Sequence, residues 1–513
     1  MSSKTFAAID VGSFELSMKI FEFSGKNHMR EVDCLRQSIA LGSDTYATGK
    51  ISNEKMDELC RVLTEFSSVM KSYKVESYRA YGTSAVRETE NSLIVRDKIA
   101  QHTGIKVDIL SNSEQRFLDY KSVAFKVDAF RQMIEDTAAI VDIGGGSIQI
   151  SLFENDTLVS TQNLRLGVLR IQDLLNHLNA RQTQIENLID EMASAQLSTY
   201  KKLYLKGKEI KNIIVVDDYL SLWMVKRFKG NESHAIINEE EFEKMLEMLR
   251  QGSLSQLALD MDMPEEKIPL LFISAVLMRR ISLMMGASRI WAPGVTLCDG
   301  IAYEYAEKNK MLKGEHDFEK DIIACAMNIS KRYMGSKRRA ETLGKITATI
   351  FDNMKKVHGL GKRERLYLQI AAILHDCGKY ISQTNIGETS YNIIMATEII
   401  GLSHLEREIV ASIVRFNHSK FEYYNQEHEG SLDRDSYLIV AKLTAILRLA
   451  NSLDRSHKQK MKEVKASLKD NELILTVNTL EDITLERGFY ENSKEFFTEV
   501  FSVKPVLKQK KSF

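Results

Sequence analysis

Two short stretches of this chain decide its fold: Ile9-Asp10-Val11-Gly12-Ser13, and Val141-Asp142-Ile143-Gly144-Gly145-Gly146-Ser147. In both, an apolar run leads into an aspartate, and a glycine turn with a serine follows. A short apolar run before a glycine turn predicts a strand that enters a β-hairpin. Because the arrangement occurs twice, we predict two similar α/β halves.

Strand and helix patterns alternate after these turns. Apolar residues follow helical spacing over Met56–Tyr73, and short strand-like segments occupy Ser77–Gly82 and Ile148–Phe153. Alternating strands and helices are typical of α/β folds. The predicted first lobe covers residues 1–130, and the second lobe covers residues 131–308.

The pattern changes beyond the second lobe. Helical patterns with little strand signal occupy Glu319–Val357, Arg363–His375, Tyr391–Ile400, His404–Asn417 and Asp435–Ser452. Strand patterns follow over Val464–Lys469, Glu472–Val477 and Phe496–Pro505, and Glu491–Phe497 is a candidate helix. We therefore expect an all-α domain over residues 319–460 and a small α+β unit over residues 461–513.

The composition is that of a soluble globular protein, with 513 residues of which 44% are hydrophobic and 27% charged. Lysine plus arginine number 70, as do aspartate plus glutamate, so the formal net charge is zero. This balance excludes a uniformly basic surface, and we expect no nucleic-acid partner. A polyanion would have to be bound by a local patch.

Cysteine spacing and hydropathy indicate where the protein works. The five cysteines show no CxxC spacing, as expected in a reducing compartment rather than in a disulfide framework. The longest apolar stretch, Leu270–Met278, is far shorter than the roughly 20 residues of a membrane span. No export signal is evident at the N-terminus. We predict a cytoplasmic protein that does not enter a membrane.

The two glycine turns have the chemistry of a phosphate site. Glycine lets the backbone approach a phosphate closely and direct N–H groups at its oxygens, and a serine hydroxyl adds a donor. The aspartate before each turn can hold a metal ion or its bound waters. A single turn of this kind is typical of an ordinary hairpin, but the pair favours a ligand cleft between two lobes.

Four motifs occur in order: the two turns, Gly82-Thr-Ser-Ala-Val-Arg87-Glu88 between them, and Pro293-Gly294-Val-Thr-Leu-Cys-Asp299-Gly300 after the second. Together they resemble the exopolyphosphatase/guanosine pentaphosphate phosphatase (Ppx/GppA) family, within the superfamily of actin, sugar kinases and heat-shock ATPases. The resemblance implies that superfamily's fold for both lobes. It also implies a homodimer that removes the terminal phosphate of inorganic polyphosphate or guanosine pentaphosphate with Mg²⁺.

The resemblance assigns roles to individual residues. Asp10 and Asp142 would organise Mg²⁺, and Arg87 would bind phosphate and offset its charge. The residues expected to bind phosphate oxygens are Gly12, Ser13, Gly144, Gly145, Gly146 and Ser147. An arginine suits such a site because its planar guanidinium can engage two phosphate oxygens at once.

The match departs from the family at its acids. The family segment Ser-Gly-x-Glu-Glu-Ala-Arg-Leu corresponds to Ser111-Asn-Ser-Glu114-Gln115-Arg116-Phe117-Leu118, which puts Gln115 at the position of the catalytic glutamate. A glutamine cannot accept a proton from the attacking water. Glu114 could act if the turn shifts its register, and Glu15 in the first turn is a candidate for a relocated carboxylate. Gln149 replaces a second family acid.

Two functions therefore stay open. The preferred one is an exopolyphosphatase-like phosphohydrolase in which Glu114 or Gln115 positions water. The alternative is a regulator that binds phosphate or a nucleotide without hydrolysing it, because the phosphate loops are retained while two acids are replaced.

The helical part contains Ala371-Ala-Ile-Leu-His375-Asp376, which resembles the HD domain of long family members, and Asp454 matches the distal aspartate of that domain. A working HD metal site also needs an upstream histidine, where this chain has Arg339. We expect His375, Asp376 and Asp454 to be a remnant, with a structural role in a helical core. A metal-dependent nucleotide hydrolase in this half is the less favoured alternative.

Charge is concentrated in the helical part. Between Lys331 and Arg365 the chain has eleven basic residues and three acidic ones. Under the family resemblance, this segment is a candidate surface for a polyphosphate chain. The alternative is a solvated helix face whose charges are balanced by acids from elsewhere in the fold.

Overall fold

The computed structural model describes residues 4–25, 27–216, 219–227, 236–314, 316–424, 432–461 and 463–510. The chain divides into two compact units, Met1–Asp317 and Phe318–Phe513. The first unit contains two β-sheets, and the second contains one.

The first sheet has five strands in the order β3-β2-β1-β4-β5. They are β1 (Lys4–Val11), β2 (Glu15–Phe23), β3 (Met29–Ser38), β4 (Ser77–Gly82) and β5 (Asp108–Ile109). The central strand β1 pairs antiparallel with β2 and parallel with β4. Its apolar sequence suits this place, because a central strand covered on both faces needs side chains that can be buried on both.

The second sheet repeats this arrangement with one additional strand, in the order β10-β11-β9-β6-β7-β8. Its strands are β6 (Thr137–Ile143), β7 (Ile148–Glu154), β8 (Thr157–Leu164), β9 (Asn212–Val215), β10 (Ile236–Ile237) and β11 (Arg289–Trp291). Strand β6 pairs antiparallel with β7 and parallel with β9, as β1 does with β2 and β4. The prediction of two similar α/β halves is confirmed.

Helices surround both sheets of the first unit. They are α1 (Leu41–Thr48), α2 (Asn53–Ser72), α3 (Ser84–Glu88), α4 (Ser92–Thr103), α5 (Asn112–Ala124), α6 (Val127–Ile134), α7 (Val168–His177), α8 (Gln182–Tyr200), α9 (Leu220–Arg227), α10 (Glu239–Gln251), α11 (Leu254–Met261), α12 (Ile268–Met285) and α13 (Leu297–Lys308). The segment Glu265–Met285, which includes α12, is long and apolar enough to cross a membrane, but 67% of its most apolar window is buried. Such burial is typical of a core helix.

Helix α13 corrects the predicted boundary of the second lobe, 131–308. It packs on the first sheet and on α5: Tyr305 stacks on Phe6 of β1 with ring centroids 4.0 Å apart. A Cβ atom at Gly300 would collide with the carbonyl oxygen of Leu118 in α5, so glycine is needed where the two helices touch. The last helix of the predicted second lobe therefore belongs to the core of the first.

The second unit combines helices with a three-stranded sheet. Its elements are α14 (Phe318–Arg332), α15 (Lys337–Asn353), α16 (Lys355–His358), α17 (Lys362–Leu374), α18 (Ile386–Ala396), α19 (His404–His418), α20 (Arg434–Ser452), α21 (Thr484–Phe501), β12 (Val464–Lys469), β13 (Glu472–Asn478) and β14 (Lys504–Lys510). The segments predicted as separate units, 319–460 and 461–513, thus form one compact unit.

One strand prediction in this unit is wrong. The strand predicted over Phe496–Pro505 begins only at Lys504, because α21 runs through Phe501, and the candidate helix Glu491–Phe497 is confirmed as part of α21. Tyr490, Phe497 and Phe501 are buried at helical spacing, so burying one apolar face decides the structure of this segment. Strand β14 then pairs in parallel with β13.

Candidate active site

The two glycine turns are built alike. In the first, the N–H of Gly12 donates to the carbonyl of Glu15 at 3.1 Å, and in the second the N–H of Gly144 donates to the carbonyl of Ser147 at 2.9 Å. Each bond closes a turn of four residues, Gly12–Glu15 between β1 and β2 and Gly144–Ser147 between β6 and β7. The turns therefore occupy equivalent places in the two lobes.

The carbonyl groups of the second turn are held by the start of α7. The three bonds are Val168 N–H to Gly144 O at 3.1 Å, Leu169 N–H to Gly145 O at 3.0 Å, and Arg170 Nε to Gly146 O at 2.8 Å. In a trans peptide the N–H lies on the side opposite the carbonyl. The N–H groups that follow these carbonyls consequently face away from α7, as a phosphate loop requires.

The first turn is held in the same way by the start of α1. Gly42 N–H donates to Ser13 O at 2.6 Å, and the N–H groups of Ile39 and Ala40 both donate to Phe14 O at 2.9 Å. The same peptide geometry turns the opposite N–H edge away from α1. In each lobe, therefore, carbonyl groups of the glycine turn accept hydrogen bonds from residues at the start of a helix.

Both turns line one small cavity of about 50 Å³. Its lining residues are Asp10, Gly12, Ser13, Thr83, Ser84, Gln115, Asp119, Asp142, Gly144, Gly145, Val216, Val295, Thr296 and Leu297. Of the residues predicted from sequence, the fold thus brings both aspartates, both loops and Gln115 together. Gly146 and Ser147 complete the second turn but do not line the cavity.

The two turns approach each other closely. A Cβ atom on Gly145 would come within 2.8 Å of the Cβ of Ser13, and one on Gly146 would collide with the Tyr46 hydroxyl. Glycine at these positions is therefore needed to let the lobes close, and any larger residue would push them apart.

A cluster of hydroxyl groups lies beside the cavity. Ser13 Oγ is 2.8 Å from Ser84 Oγ and 2.9 Å from the Tyr46 hydroxyl. Burial raises the pKa of Tyr46, which keeps it protonated. Arg170 lies over the Tyr46 ring at 4.0 Å and forms an ion pair with Glu88 of the first lobe. Arg170 therefore links the second glycine turn to the first lobe, a role that the sequence did not reveal.

The charge of the cavity wall is entirely negative among the described residues. Asp10, Asp119 and Asp142 line it, and no described lysine or arginine does. The Nε2 of Gln149 donates to Asp142 Oδ2 at 3.2 Å, so this amide orients the carboxylate. A phosphate would be repelled by this wall unless a cation accompanied it.

The carboxylates suit Mg²⁺ as that cation. Mg²⁺ prefers oxygen ligands and commonly takes one or two carboxylates together with waters and substrate phosphates. Asp10 and Asp142 stand at equivalent positions near the ends of β1 and β6, and each precedes one of the two turns. Within the described ranges, no three metal-ligating side chains form a closed metal site, so phosphate and water would have to complete the coordination.

Arg87 lies elsewhere than predicted. Its guanidinium donates to the carbonyl of Leu110 at 2.6 Å and to Asn112 Oδ1 at 2.5 Å, and it does not line the cavity. Burial lowers its pKa. Arg87 thus supports the turn that leads into α5, the helix that carries Gln115.

The two proposed substitute carboxylates are also elsewhere. Glu114 forms a capping box at the start of α5, where its Oε2 accepts from the N–H and the hydroxyl of Ser111 at 3.0 and 2.7 Å. Glu15 forms ion pairs with Lys267 and Arg36 at a separate cavity of about 670 Å³. Neither lines the small cavity, so the expectation that either reaches the phosphate site is not met.

Sequence comparison agrees with this geometry. The family model described as "Ppx/GppA phosphatase family" matches residues 21–308, which is more than half of the chain. The chain belongs to the Ppx/GppA phosphatase family. A second model, "Ppx/GppA phosphatase, domain III", matches residues 323–492. The helical unit therefore also matches a domain of this family.

Individual relatives of this Ppx/GppA chain are distant. A guanosine-5'-triphosphate,3'-diphosphate pyrophosphatase from Photobacterium profundum is 20% identical over 490 residues, covering 93% of this chain and 92% of that protein. Exopolyphosphatase 1 from Mycobacterium tuberculosis is 26% identical over 166 residues, 32% of this chain and 46% of that protein. The solved exopolyphosphatase from Cytophaga hutchinsonii has a TM-score of 0.51 at 18% identity, over 60% of this chain and 100% of its own. This structural similarity supports the fold described for the first unit.

In the helical unit of this Ppx/GppA protein, a guanidinium lies where the HD resemblance would place a metal. Arg339 is 2% exposed, and its nitrogens lie 3.9 Å from Asp376 Oδ2 and 3.7 Å from Asp454 Oδ2. His375 donates from Nδ1 to the carbonyl of Ala372 at 2.9 Å, and burial lowers its pKa. These residues do not fit a metal ion, because the arginine already supplies the positive charge. The assignment of His375, Asp376 and Asp454 to a structural remnant stays a prediction.

The basic segment Lys331–Arg365 is less basic than its composition suggests. Arg363 pairs with Glu406 at 2.7 Å, which lies outside the counted segment, and Arg365 pairs with Asp352 at 2.8 Å. The charge of Arg339 is balanced by Asp376 and Asp454, which lie outside the segment. Acids from elsewhere therefore balance part of the charge, as in the alternative that the composition left open.

Proposed function

We propose that this protein is a Mg²⁺-dependent phosphohydrolase that removes the terminal phosphate of guanosine pentaphosphate or inorganic polyphosphate. The observation that carries the proposal is the composition of one cavity wall. Two glycine turns, whose carbonyl groups are hydrogen-bonded to helix starts, line it together with three carboxylates and no described cationic side chain. The turns suit phosphate oxygens, and the carboxylates suit the cation that must accompany them. Relatives named for both substrates support the two alternatives.

In the proposed reaction the residues of this chain bind and orient the terminal phosphoryl group. The N–H edges of the two turns bind its oxygens, and the hydroxyls of Ser13 and Ser84 lie within reach of the same space. Asp10 and Asp142 would hold Mg²⁺, which neutralises phosphate charge as the leaving oxygen departs.

Gln115 lines the cavity at the position where the family has its catalytic acid. Its amide oxygen can accept a hydrogen bond from water and so orient it, but it cannot retain the proton. This limitation motivates the competing proposal of a regulator that binds phosphate or a nucleotide and closes its lobes without hydrolysis.

Phosphate release separates the two proposals. Purified protein would be given guanosine pentaphosphate and, separately, long-chain polyphosphate with Mg²⁺, and free phosphate would be followed over time. We expect release from at least one substrate, and its loss in Asp142→Asn. Asp128→Asn, at an exposed site on α6, is the matched control and should behave as the unchanged protein. Saturable binding of both substrates without release would favour the regulator.

We further propose that the enzyme works as a homodimer in the cytoplasm. All five cysteines are free, and four of them are buried, as suits a reducing compartment. Light scattering on the purified protein at micromolar concentration would report the dimer, and a monomeric mass would contradict it.

A further inference from the structure

We propose that Asp119 is the catalytic carboxylate of this chain, accepting the proton of the attacking water that Gln115 cannot accept. This inference rests on the proposed hydrolysis and names the residue that completes it. Asp119 follows directly after Ser111–Leu118, the segment that corresponds to the acid-bearing motif of the family.

The position of Asp119 on α5 carries the inference. Gln115 and Asp119 are four residues apart and both line the small cavity. Residues at this spacing lie on one face of a helix, separated by about 6 Å along its axis. Glu114 is turned by about 100° from Gln115 and is held in the capping box. Asp119 is therefore the carboxylate of α5 that shares the cavity with Gln115.

The other two carboxylates of the cavity have a different place in the fold. Asp10 and Asp142 occupy equivalent positions at the ends of β1 and β6, and Gln149 donates to Asp142. That matched pair suits a cation between the lobes. Asp119 comes from a helix instead of a sheet and is 4% exposed, which leaves it as the third carboxylate on the same wall.

In the proposed step, the water oxygen forms a bond to the terminal phosphorus, and the bond from that phosphorus to the bridging oxygen breaks. The electron pair leaves with the bridging oxygen on the shortened substrate, where a cation held by Asp10 and Asp142 would offset the charge. One water proton passes to the Asp119 carboxylate and is later released to solvent, while the Gln115 amide holds the water in line.

Two variants test this role. Asp119→Asn keeps the size of the side chain but cannot accept the proton, so phosphate release should fall by about 10² to 10⁴-fold. Adding Gln115→Glu to that variant restores a carboxylate one helical turn earlier on the same face. We expect the double variant to recover a large part of the lost rate, which a merely structural role of Asp119 would not allow.

Three further measurements keep the outcome interpretable. Thermal unfolding reports whether each variant is folded, Asp128→Asn is the matched control, and the Mg²⁺ concentration for half-maximal rate reports metal binding. An active unchanged protein whose Asp119→Asn variant is equally active would overturn the inference alone. So would a variant that regains its rate with excess Mg²⁺, because Asp119 would then be a metal ligand. A folded but slow Asp119→Asn that Gln115→Glu does not rescue would also count against it. An unchanged protein that releases no phosphate would overturn the proposed function, and this inference with it.

Discussion

The two units of this protein each bury a group of carboxylates, and they balance the charge in opposite ways. In the first unit, Asp10, Asp119 and Asp142 line a cavity that has no described cationic side chain. In the second, Asp376 and Asp454 flank the guanidinium of Arg339. A buried carboxylate is stabilised by hydrogen bonds or by a nearby positive charge. In the second unit a guanidinium lies beside the carboxylates, whereas in the first unit the carboxylates line a cavity in which we propose that Mg²⁺ binds.

Withdrawal of Mg²⁺ would have the largest effect and would affect only one side of this comparison. A chelator should lower phosphate release by about 10³-fold or more, since a bound cation contributes several kcal/mol to the transition state. The free energy of unfolding of the second unit should not change, because Arg339 supplies its charge. Phosphate assays and urea titrations with and without EDTA would test this. Full activity in EDTA would contradict the proposed role of Asp10 and Asp142.

Removal of Arg339 should have the largest effect on stability. Arg339→Met leaves the buried Asp454 without the guanidinium beside it and Asp376 with Lys379, 3.2 Å away, as its remaining cation, and we expect a loss of about 3 kcal/mol in the free energy of unfolding. Arg338→Met, at an exposed neighbouring position, is the matched control and should cost little.

A second set of variants sharpens this test. Adding Asp376→Asn and Asp454→Asn to Arg339→Met removes the uncompensated charges and should restore much of the stability. If Arg339→Met left stability unchanged, the guanidinium would not be the balancing charge. If Mn²⁺ raised the melting temperature of the unchanged protein through this cluster, the comparison between the units would fail.

Lowering the pH should reduce the free energy of unfolding of the second unit through His375, the neighbour of Asp376. Burial lowers the pKa of His375 in the folded state, so the unfolded chain binds a proton that the folded chain does not. Its stability contribution is complete above the unfolded pKa near 6.5 and is lost as the pH falls below it, by about 1.4 kcal/mol per pH unit. The pKa of His418 is lowered by burial as well and adds in the same direction.

Urea titrations at pH 7, 6 and 5 would measure this dependence. His375→Gln should flatten the slope by the contribution of one proton, whereas His404→Gln, on the same unit but outside the cluster, should leave it unchanged. An equal slope in the His375 variant would show that the buried imidazole does not carry the effect.

Substitution of Glu114 should have the smallest effect. It tests whether Glu114 is functionally separate from the three carboxylates that line the cavity. Glu114→Ala removes a capping box from α5, which should cost about 1 kcal/mol of stability. The rate of phosphate release per folded molecule should stay close to that of the unchanged protein, because Glu114 does not line the cavity. A fall of about 10²-fold or more would return Glu114 to the role of general base.

Much of the fold could be predicted from local sequence. Apolar runs ending in glycine turns predicted the hairpins of β1 with β2 and of β6 with β7, and helical spacing predicted α2 and α20 closely. The predictions failed where distant packing decides structure. Helix α13 follows the second sheet in sequence but packs on the first, and α21 extends through a segment that has strand-like composition.

The candidate site divides in the same way. Asp10, Asp142 and both glycine loops could be found from sequence, because a strand end followed by a glycine turn fixes where they lie relative to the backbone. The positions of the Arg87 and Glu114 side chains could not be predicted, since the direction of a side chain depends on its partners: Leu110 and Asn112 for the arginine, and Ser111 for the glutamate. The four-residue spacing between Gln115 and Asp119 predicts that both lie on one face of a helix. Only the tertiary structure shows that this face of α5 lines the cavity.

By itself, the sequence determined the two lobes and their phosphate loops, because hairpins and glycine turns follow from local backbone preferences and alternating burial. Only the tertiary structure decided which carboxylates share a cavity and which are already neutralised. Electrostatic interactions depend on distances between residues that are far apart in the chain. The meeting of Asp119 with Asp10 and Asp142, and of Arg339 with Asp376 and Asp454, is therefore a property of the folded protein.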